Sequence, residues 1–183
     1  MGQIYEPTPV LLLIGVTSRY SDGLAWAEEQ AVATFGAVHL KSEPFDFIET
    51  EYYQATMGVG LQKQFLTFQT LIDPGELPQI KHTTNEWELR GAAQMRVAEP
   101  RPLNLDPGYL TLAKLVLATT KDHAHRIYLA EGIYAEVTLN YRGGHWQECA
   151  WTYPDYQRAD YQAFFTKCRQ TLQAQRREAT SQD

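Results

Sequence analysis

Cysteine is scarce in this sequence, and no hydrophobic run is long enough to cross a membrane. The two cysteines, Cys149 and Cys168, are not spaced like a disulfide framework or a zinc knuckle, so we expect free thiols in a reducing compartment. The apolar run from Val10 to Val16 is far shorter than the roughly 20 residues that a membrane-spanning helix needs. Glu6 and two prolines precede that run, unlike a signal peptide. We therefore expect a cytoplasmic protein with no membrane partner.

An excess of positive charge is also missing. The formal net charge is −6, so the overall field of the protein does not attract phosphate backbones. The clearest basic cluster, Arg176-Arg177, is followed by Glu178 and is typical of a solvated helix end. We therefore expect no nucleic-acid partner.

The sequence motifs of common phosphate-binding and nucleophilic enzymes are absent. There is no GxxxxGK[ST] phosphate loop and no GxSxG nucleophile elbow. Gly58-Val59-Gly60 does not complete a GxGxxG motif. Neither cysteine has a neighbouring histidine or helix start that would favour its thiolate. The sequence therefore assigns no reaction and leaves open whether the protein is an enzyme.

The first part of the chain alternates patterns typical of strands and helices. The apolar and alternating segments predict strands at Val10 to Thr17, Ala37 to Phe47, Gln64 to Leu71 and Leu103 to Leu105. Capping and proline signals predict helices from Ser21 to about Phe35 and from Asp73-Pro74 to near Leu89. This order predicts an α+β fold with a ferredoxin-like βαββαβ core. The alternative is an α/β sandwich with a mixed sheet.

The second part of the chain is expected to add elements to that core. A short strand is predicted at Met95 to Ala98, and a buried helix, or alternatively a strand, at Tyr109 to Ala118. A hairpin follows at Arg126 to Leu129 and Ile133 to Tyr141, then a strand at His145 to Ala150 and a C-terminal helix from Asp160 to about Arg176. We expect a single domain over residues 1–183, with residues 177–183 as a frayed tail.

Ionisable residues are concentrated on both borders of the apolar segment that follows Asp106. Lys121 and Arg126 are suited to holding a phosphate or carboxylate, since arginine offers two parallel donors. His125 is a candidate general acid or base, while Asp106 or Glu136 can orient it. The predicted catalytic residues are His125, Asp106 and Glu136, and the predicted ligand-binding residues are Thr119, Thr120, Lys121, Asp122, Arg126 and Tyr109. The competing interpretation is a solvated loop whose ion pairs contribute little.

His123 and His125 would point to one side of a strand, as metal-binding histidines do. A zinc site normally has a third protein ligand, which the sequence does not identify. We therefore predict no metal ligands and leave the cofactor unknown, with a divalent ion as a minor alternative.

Two functions of different classes follow from these patterns. The first is a site for a small anionic or phosphorylated ligand. The second is a non-catalytic protein-interaction module, which binds a protein partner or forms a homo-oligomer through aromatic residues. The candidates for that surface are the aromatic residues from Trp151 to Tyr156. The set Trp146, Trp151, Tyr153 and Tyr156 could also stack a base or ring, although packing in an ordinary core is favoured. A ligand site requires the polar side chains to converge in one pocket, whereas a module leaves an exposed apolar patch.

Several motifs together resemble one protein family over roughly Pro9 to Leu172. These are Leu71-Ile72-Asp73-Pro74, Thr84-Asn85-Glu86, Leu105-Asp106-Pro107-Gly108-Tyr109-Leu110, Thr119-Thr120-Lys121-Asp122 with His125-Arg126, Gly132-Ile133-Tyr134-Ala135-Glu136-Val137-Thr138, and Trp151-Thr152-Tyr153-Pro154-Asp155-Tyr156. The chain resembles the bacterial domain of unknown function number 4416. His123 departs from the aromatic residue usual in that family, which disfavours a histidine-pair metal site. The resemblance implies a stand-alone bacterial cytoplasmic protein and implies no particular activity.

Overall fold

The computed structural model describes residues 2–50 and 52–180. Within these residues the chain forms one large antiparallel sheet and four α-helices, so the protein is α+β. The strands are β1 (Leu11–Ser18), β2 (Val38–Lys41), β3 (Phe45–Asp46), β4 (Gln62–Phe68), β5 (Asn104–Leu110), β6 (Lys114–Thr119), β7 (Ile127–Ala130), β8 (Ile133–Arg142) and β9 (His145–Glu148). The helices are α1 (Ser21–Phe35), α2 (Gln54–Met57), α3 (Leu77–Met95) and α4 (Ala159–Thr180).

Strand β1 lies in the middle of the sheet and is buried along its whole length. Leu12, Ile14 and Val16 pack with α1 and α3 on one face, while Leu11 and Leu13 pack with α4 on the other. Burying each such side chain stabilises the fold by about 1.5–3 kcal/mol. The strand predicted at Val10 to Thr17 is therefore confirmed, and it is central and covered on both faces.

The strand order is β2-β4-β1-β5-β6-β8-β7, with β3 also paired to β4 and β9 also paired to β8. Each of these pairings between described strands is antiparallel. The alternative of a mixed sheet is therefore wrong. The predicted strand over residues 37–47 is divided into β2 and β3 by residues 42–44, where Pro44 has no N–H to donate to the sheet.

Helix α3 begins where the sequence predicted and ends later. Asp73 accepts a hydrogen bond from the Gly75 amide at 2.7 Å, and Glu76 accepts one from the Asp73 amide at 2.9 Å, which completes a capping box. A single 3-10 turn, Pro74–Glu76, leads into the helix. Because α3 continues to Met95, the predicted short strand from Met95 to Ala98 is wrong.

The predicted buried helix from Tyr109 to Ala118 is also wrong, since the segment belongs to strands β5 and β6. Between them the Thr111 hydroxyl accepts hydrogen bonds from the amides of Ala113 and Lys114, at 3.1 and 3.0 Å, and forms a tight turn. Leu115 and Leu117 pack on the α4 side, while Val116 and Ala118 pack on the other. Both faces are apolar because both are covered, so the two-residue period is hidden in the sequence.

The hairpin of β7 and β8 confirms its prediction. Glu131 and Gly132 form the turn with positive φ values of 52° and 77°. Helix α4 follows as predicted and runs to Thr180, beyond the start of the tail predicted at residue 177, and residues 181–183 lie outside the described residues. None of the helices in the described part of the chain is both long and apolar enough to cross a membrane.

Candidate functional site

A cavity of about 420 Å³ lies where strands β5 and β6 separate. Their pairing covers only Gly108 to Leu110 of β5, so Asp106 on β5 and Thr119 on β6 face a gap rather than each other's backbone. Residues 47, 49, 50, 52, 53 and 153–156 form the other walls. The lining residues are Phe47, Glu49, Thr50, Tyr52, Tyr53, Lys63, Asp106, Leu117, Ala118, Thr119, Lys121, His123, Arg126, Glu136, Tyr153, Pro154, Asp155 and Tyr156.

Lys63 places a buried positive charge in this cavity. Its Nζ lies 2.9 Å from Asp155 Oδ2 and 3.6 Å from Asp106 Oδ2, and 4.6 Å from the centre of the Tyr156 ring. A Cβ atom at Gly15 would lie 3.2 Å from Lys63 Cε, so the glycine leaves the space in which the lysine passes over β1. Burial alone would lower the pKa of Lys63, but the adjacent Asp155 carboxylate, with Tyr156 and Asp106, raises it well above the ordinary value.

Asp106 is held at the end of a chain of polar side chains that begins on α3. Asn104 Nδ2 donates to Asp106 Oδ2 at 2.8 Å, and Arg101 donates to the Asn104 side-chain oxygen Oδ1. Arg101 also donates to Glu88 Oε2 through NH2 at 2.8 Å, and Glu88 accepts from the Leu105 amide at 2.8 Å. Burial raises the pKa of Glu88. The Asp106 side chain is 27% exposed, so a fixed carboxylate remains accessible from the cavity.

Glu136 and Arg126 form the second buried ion pair. Arg126 Nε donates to Glu136 Oε2 at 2.8 Å, and their side chains are 3% and 2% exposed. The other guanidinium nitrogens donate to the Lys121 carbonyl oxygen at 2.9 Å and to the Tyr153 hydroxyl at 2.7 Å. All three nitrogens of the guanidinium thus donate to protein acceptors. Arg126 is therefore not arranged to donate two parallel hydrogen bonds to a ligand.

His125 lies behind Glu136 and does not line the cavity. Its Nε2 is 3.2 Å from Glu136 Oε2, and its ring stacks with those of Trp151 and His123 at centroid distances of 5.1 and 5.8 Å. The neighbouring His123 does line the cavity. In the part of the chain that is described, no group of three or more histidine, cysteine or acidic side chains is arranged to hold a metal ion.

The structure brings together some of the predicted site residues and separates others. The cavity is lined by Asp106, Thr119, Lys121, Arg126 and Glu136. Thr120 and Asp122 are exposed and lie outside the lining. Tyr109 packs against apolar residues on the opposite, α3-covered face of the sheet, where burial raises its pKa. Thr120, Asp122 and Tyr109 therefore do not reach the cavity.

Sequence reasoning missed the cavity residues that come from distant segments. Tyr52 and Tyr53 lie in an irregular stretch, and Lys63 and Asp155 are separated by 92 positions in the chain. One signal was available for Lys63, because alternation along β4 places this lysine on the same face as Phe65, and lysine is rarely buried beside a core aromatic residue.

Residues 8–172 match the sequence profile of a family described as a domain of unknown function (DUF4416). The chain belongs to that family. The match includes every residue that lines the cavity, so the cavity of this DUF4416 protein lies within the family's domain. Searches of curated proteins and of solved structures return no match.

Proposed function

We propose that the cavity binds a small, ring-bearing molecule that carries a single anionic group. The observation that carries this proposal is the convergence of Asp106, Thr119, Lys121, Arg126 and Glu136 on one cavity. Its volume of about 420 Å³ is in the range of small-molecule sites, which are roughly 300–1,000 Å³. Aromatic walls with a few fixed polar groups are typical of such sites. The aromatic lining consists of Phe47, Tyr52, Tyr53, Tyr153 and Tyr156.

The distribution of charge supports one anionic group rather than several. Glu136 is paired with Arg126, and Asp155 and Asp106 share Lys63. Glu49 is paired with Arg158, which lies outside the lining. Lys121 is the lining lysine or arginine that contacts no carboxylate among the described residues, and its Nζ donates to the Tyr52 hydroxyl at 3.1 Å. One ammonium without a carboxylate partner therefore lies at the Lys121 side, while the pair Asp106 and Asp155 keeps one negative charge in excess near Lys63. This arrangement suits a singly charged group bound at the Lys121 side better than a polyphosphate.

The three predicted catalytic groups differ in their access to such a ligand. Asp106 lines the cavity with a partly exposed carboxylate, whereas Glu136 is locked by Arg126 and His125 lies behind it. A proton transfer, if the protein is an enzyme, would therefore be carried by Asp106. The function that we propose is ligand binding.

Benzoate is expected to raise the melting temperature of the wild-type protein in a thermal-shift titration, since a ligand at 100 times its Kd stabilises the folded state by about 2.7 kcal/mol. Thr119→Trp should abolish the shift by filling the cavity, and Lys121→Gln should weaken benzoate binding several-fold. Lys114→Gln, an exposed lysine at the other end of β6, is the matched control and should bind like the wild type. Equal binding by the Lys121 and Lys114 variants would contradict the proposal.

A protein-interaction function is the second candidate, but the aromatic segment named from the sequence supports it poorly. Within the segment from Trp151 to Tyr156, Tyr156 is buried, Tyr153 lines the cavity, and Trp151 stacks on His125 and donates to the Val137 carbonyl at 2.9 Å. The apolar patch that supports this function lies instead on β7, the last strand of the sheet order. Ile127, Tyr128 and Leu129 there are 72%, 57% and 38% exposed. An exposed apolar edge strand is a template for pairing with another chain.

If β7 pairs with a second copy, the protein should be a dimer by light scattering after size-exclusion chromatography. Ile127→Lys combined with Leu129→Lys should then give a monomer, because two charges would enter the strand interface. Leu89→Lys is the control, since Leu89 is 74% exposed on α3, away from this edge. A wild-type protein that stays monomeric at concentrations of about 100 μM, where weak interfaces form, would refute self-pairing.

We also propose that β1, α1, β2, β4, α3 and β5 form a ferredoxin-like core. The order β2-β4-β1-β5, the antiparallel pairing and the position of α1 and α3 on one face support this assignment. The remaining strands and α4 would then be additions to that core.

A bacterial cytoplasmic location is proposed as well. The support is the state of Cys149 and Cys168, which are free thiols, as expected in a reducing compartment.

A further inference from the structure

Two tyrosine hydroxyls in the cavity accept hydrogen bonds from cationic side chains. Tyr52 accepts from Lys121 Nζ at 3.1 Å, and Tyr153 accepts from Arg126 NH2 at 2.7 Å. A phenol carries a single proton, which it can donate while its oxygen accepts. Neither hydroxyl donates to another group among the residues that the structure describes. Both O–H protons are therefore available to a ligand.

The hydrogen bond from Lys121 makes the Tyr52 hydroxyl a better donor, and the contact with Arg126 acts in the same direction on Tyr153. A positive charge on the acceptor side of a phenol polarises its O–H bond, and hydrogen bonds from such groups to an anion are strengthened. The hydrogen bond from Lys121 lowers the pKa of Tyr52. Burial and the Glu136 carboxylate raise the pKa of Tyr153, which keeps its proton on the phenol.

Lys121 and Arg126 are also tied to each other, because Arg126 NH1 donates to the Lys121 carbonyl oxygen at 2.9 Å. This contact fixes the segment that carries Lys121 relative to the buried Arg126–Glu136 pair. The two cations that donate to the phenols, Lys121 and Arg126, are consequently connected to each other. Arg126 acts here as a positioning residue, through Tyr153, rather than as a direct ligand of the anion.

We propose that the anionic group of the ligand is a carboxylate, and that the hydroxyls of Tyr52 and Tyr153 bind its two oxygens. This inference rests on the proposed function of the cavity. Two single-proton donors match the two oxygens of a carboxylate, whereas a phosphate monoester presents three oxygens and up to two charges. The ring of the ligand would lie against the aromatic wall that includes Tyr53 and Tyr156. The substrate class is therefore an aromatic or heteroaromatic monocarboxylate.

The experiment compares benzoate, its neutral isostere benzamide and phenyl phosphate, each titrated by ligand-detected NMR against the wild-type protein, Lys121→Gln and three tyrosine-to-phenylalanine variants. Tyr52→Phe and Tyr153→Phe each remove one hydroxyl from an exposed ring, so the fold is retained. Each should weaken benzoate binding by about 10-fold, the factor expected for a hydrogen bond to a charged acceptor. Benzamide binding should change much less. Tyr128→Phe removes an exposed hydroxyl outside the cavity and should bind all three probes like the wild type.

The outcomes separate this inference from the proposed function. If Tyr52→Phe and Tyr153→Phe bind benzoate normally while Lys121→Gln does not, the cavity binds an anion without the two phenols, and only this inference is overturned. If phenyl phosphate binds more tightly than benzoate and loses affinity in the same variants, the carboxylate assignment is overturned. If no probe binds to the wild type, the proposed function and this inference are both wrong. The inference is supported if the preference for benzoate over benzamide falls in Tyr52→Phe and in Tyr153→Phe but not in Tyr128→Phe.

Discussion

Replacing Lys63 by methionine should lower the free energy of unfolding by about 3–5 kcal/mol, the usual effect of removing one partner of a buried ion pair. The lysine side chain is 4% exposed and contacts the Asp155 carboxylate at 2.9 Å, and the Asp155 side chain is itself 7% exposed. Methionine fills much of the same volume, so packing is largely retained. The substitution removes the positive charge that lies beside the Asp155 and Asp106 carboxylates. Urea denaturation followed by tryptophan fluorescence measures the difference.

Lys41→Met is the matched control for this prediction. Lys41 forms an ion pair with Glu28 at 2.6 Å, but the two side chains are 45% and 27% exposed. Exposed pairs contribute about 0–1 kcal/mol, so the control should be close to the wild type. A Lys63 variant that is no less stable than the Lys41 variant would mean that the buried cluster does not stabilise the fold.

The pH dependence of the Lys63 effect follows from the direction of its pKa shift. The pKa is raised in the folded protein, so the stabilisation by Lys63 is complete below the unfolded-state value of about 10.4. It is lost only as the pH rises through the higher folded-state pKa. The stability difference between the wild type and Lys63→Met should therefore stay constant from pH 7 to about pH 10, and narrow only at more alkaline pH.

Local signals in the sequence were sufficient to predict the elements that are specified locally. The Asp73 and Glu76 side chains cap the segment before α3, and the Glu131-Gly132 turn sets the β7–β8 hairpin. The central strand β1 was recognisable because it is apolar at nearly every position and has strand length. In each of these cases the physical cause of the element lies within a few residues of it.

The failure at β5 and β6 has a different cause. Asp106-Pro107-Gly108 has the composition of a helix cap, but here it forms part of a strand. Pro107 is tolerated because β6 does not pair with β5 at that position, so its missing N–H removes no bond on that side. Whether such a segment pairs as a strand is decided by its neighbours in space, which the local sequence does not identify.

Only part of the candidate site could be predicted, because several of its residues are neighbours in space but not in the sequence. Asp106 and the residues from Thr119 to Arg126 could be paired by reasoning, since they flank one apolar segment that returns on itself as β5 and β6. Lys63 lies on strand β4, and Asp155 lies in the segment before α4. They meet because that segment packs against the face of the sheet on which Lys63 lies. The tyrosines were missed because their roles depend on which cation contacts each hydroxyl.

Gly108→Ala should destabilise the protein by about 3 kcal/mol, at the upper end of what overpacking usually costs. A Cβ atom at this position would lie 2.2 Å from the Val116 carbonyl oxygen and 2.8 Å from Leu117 Cδ2. The first neighbour is backbone, so strands β5 and β6 must move apart to accommodate the methyl group. Because Gly108 and Leu117 form the last pair before the two strands separate, the same movement would widen the cavity and weaken benzoate binding.

Gly75→Ala is the control: its Cβ would approach only the Asp73 side chain, at 3.0 Å, and the substitution should change stability by no more than about 0.5 kcal/mol. Equal denaturation midpoints for the two variants would show that β5 and β6 are not held at the distance that the structure gives them.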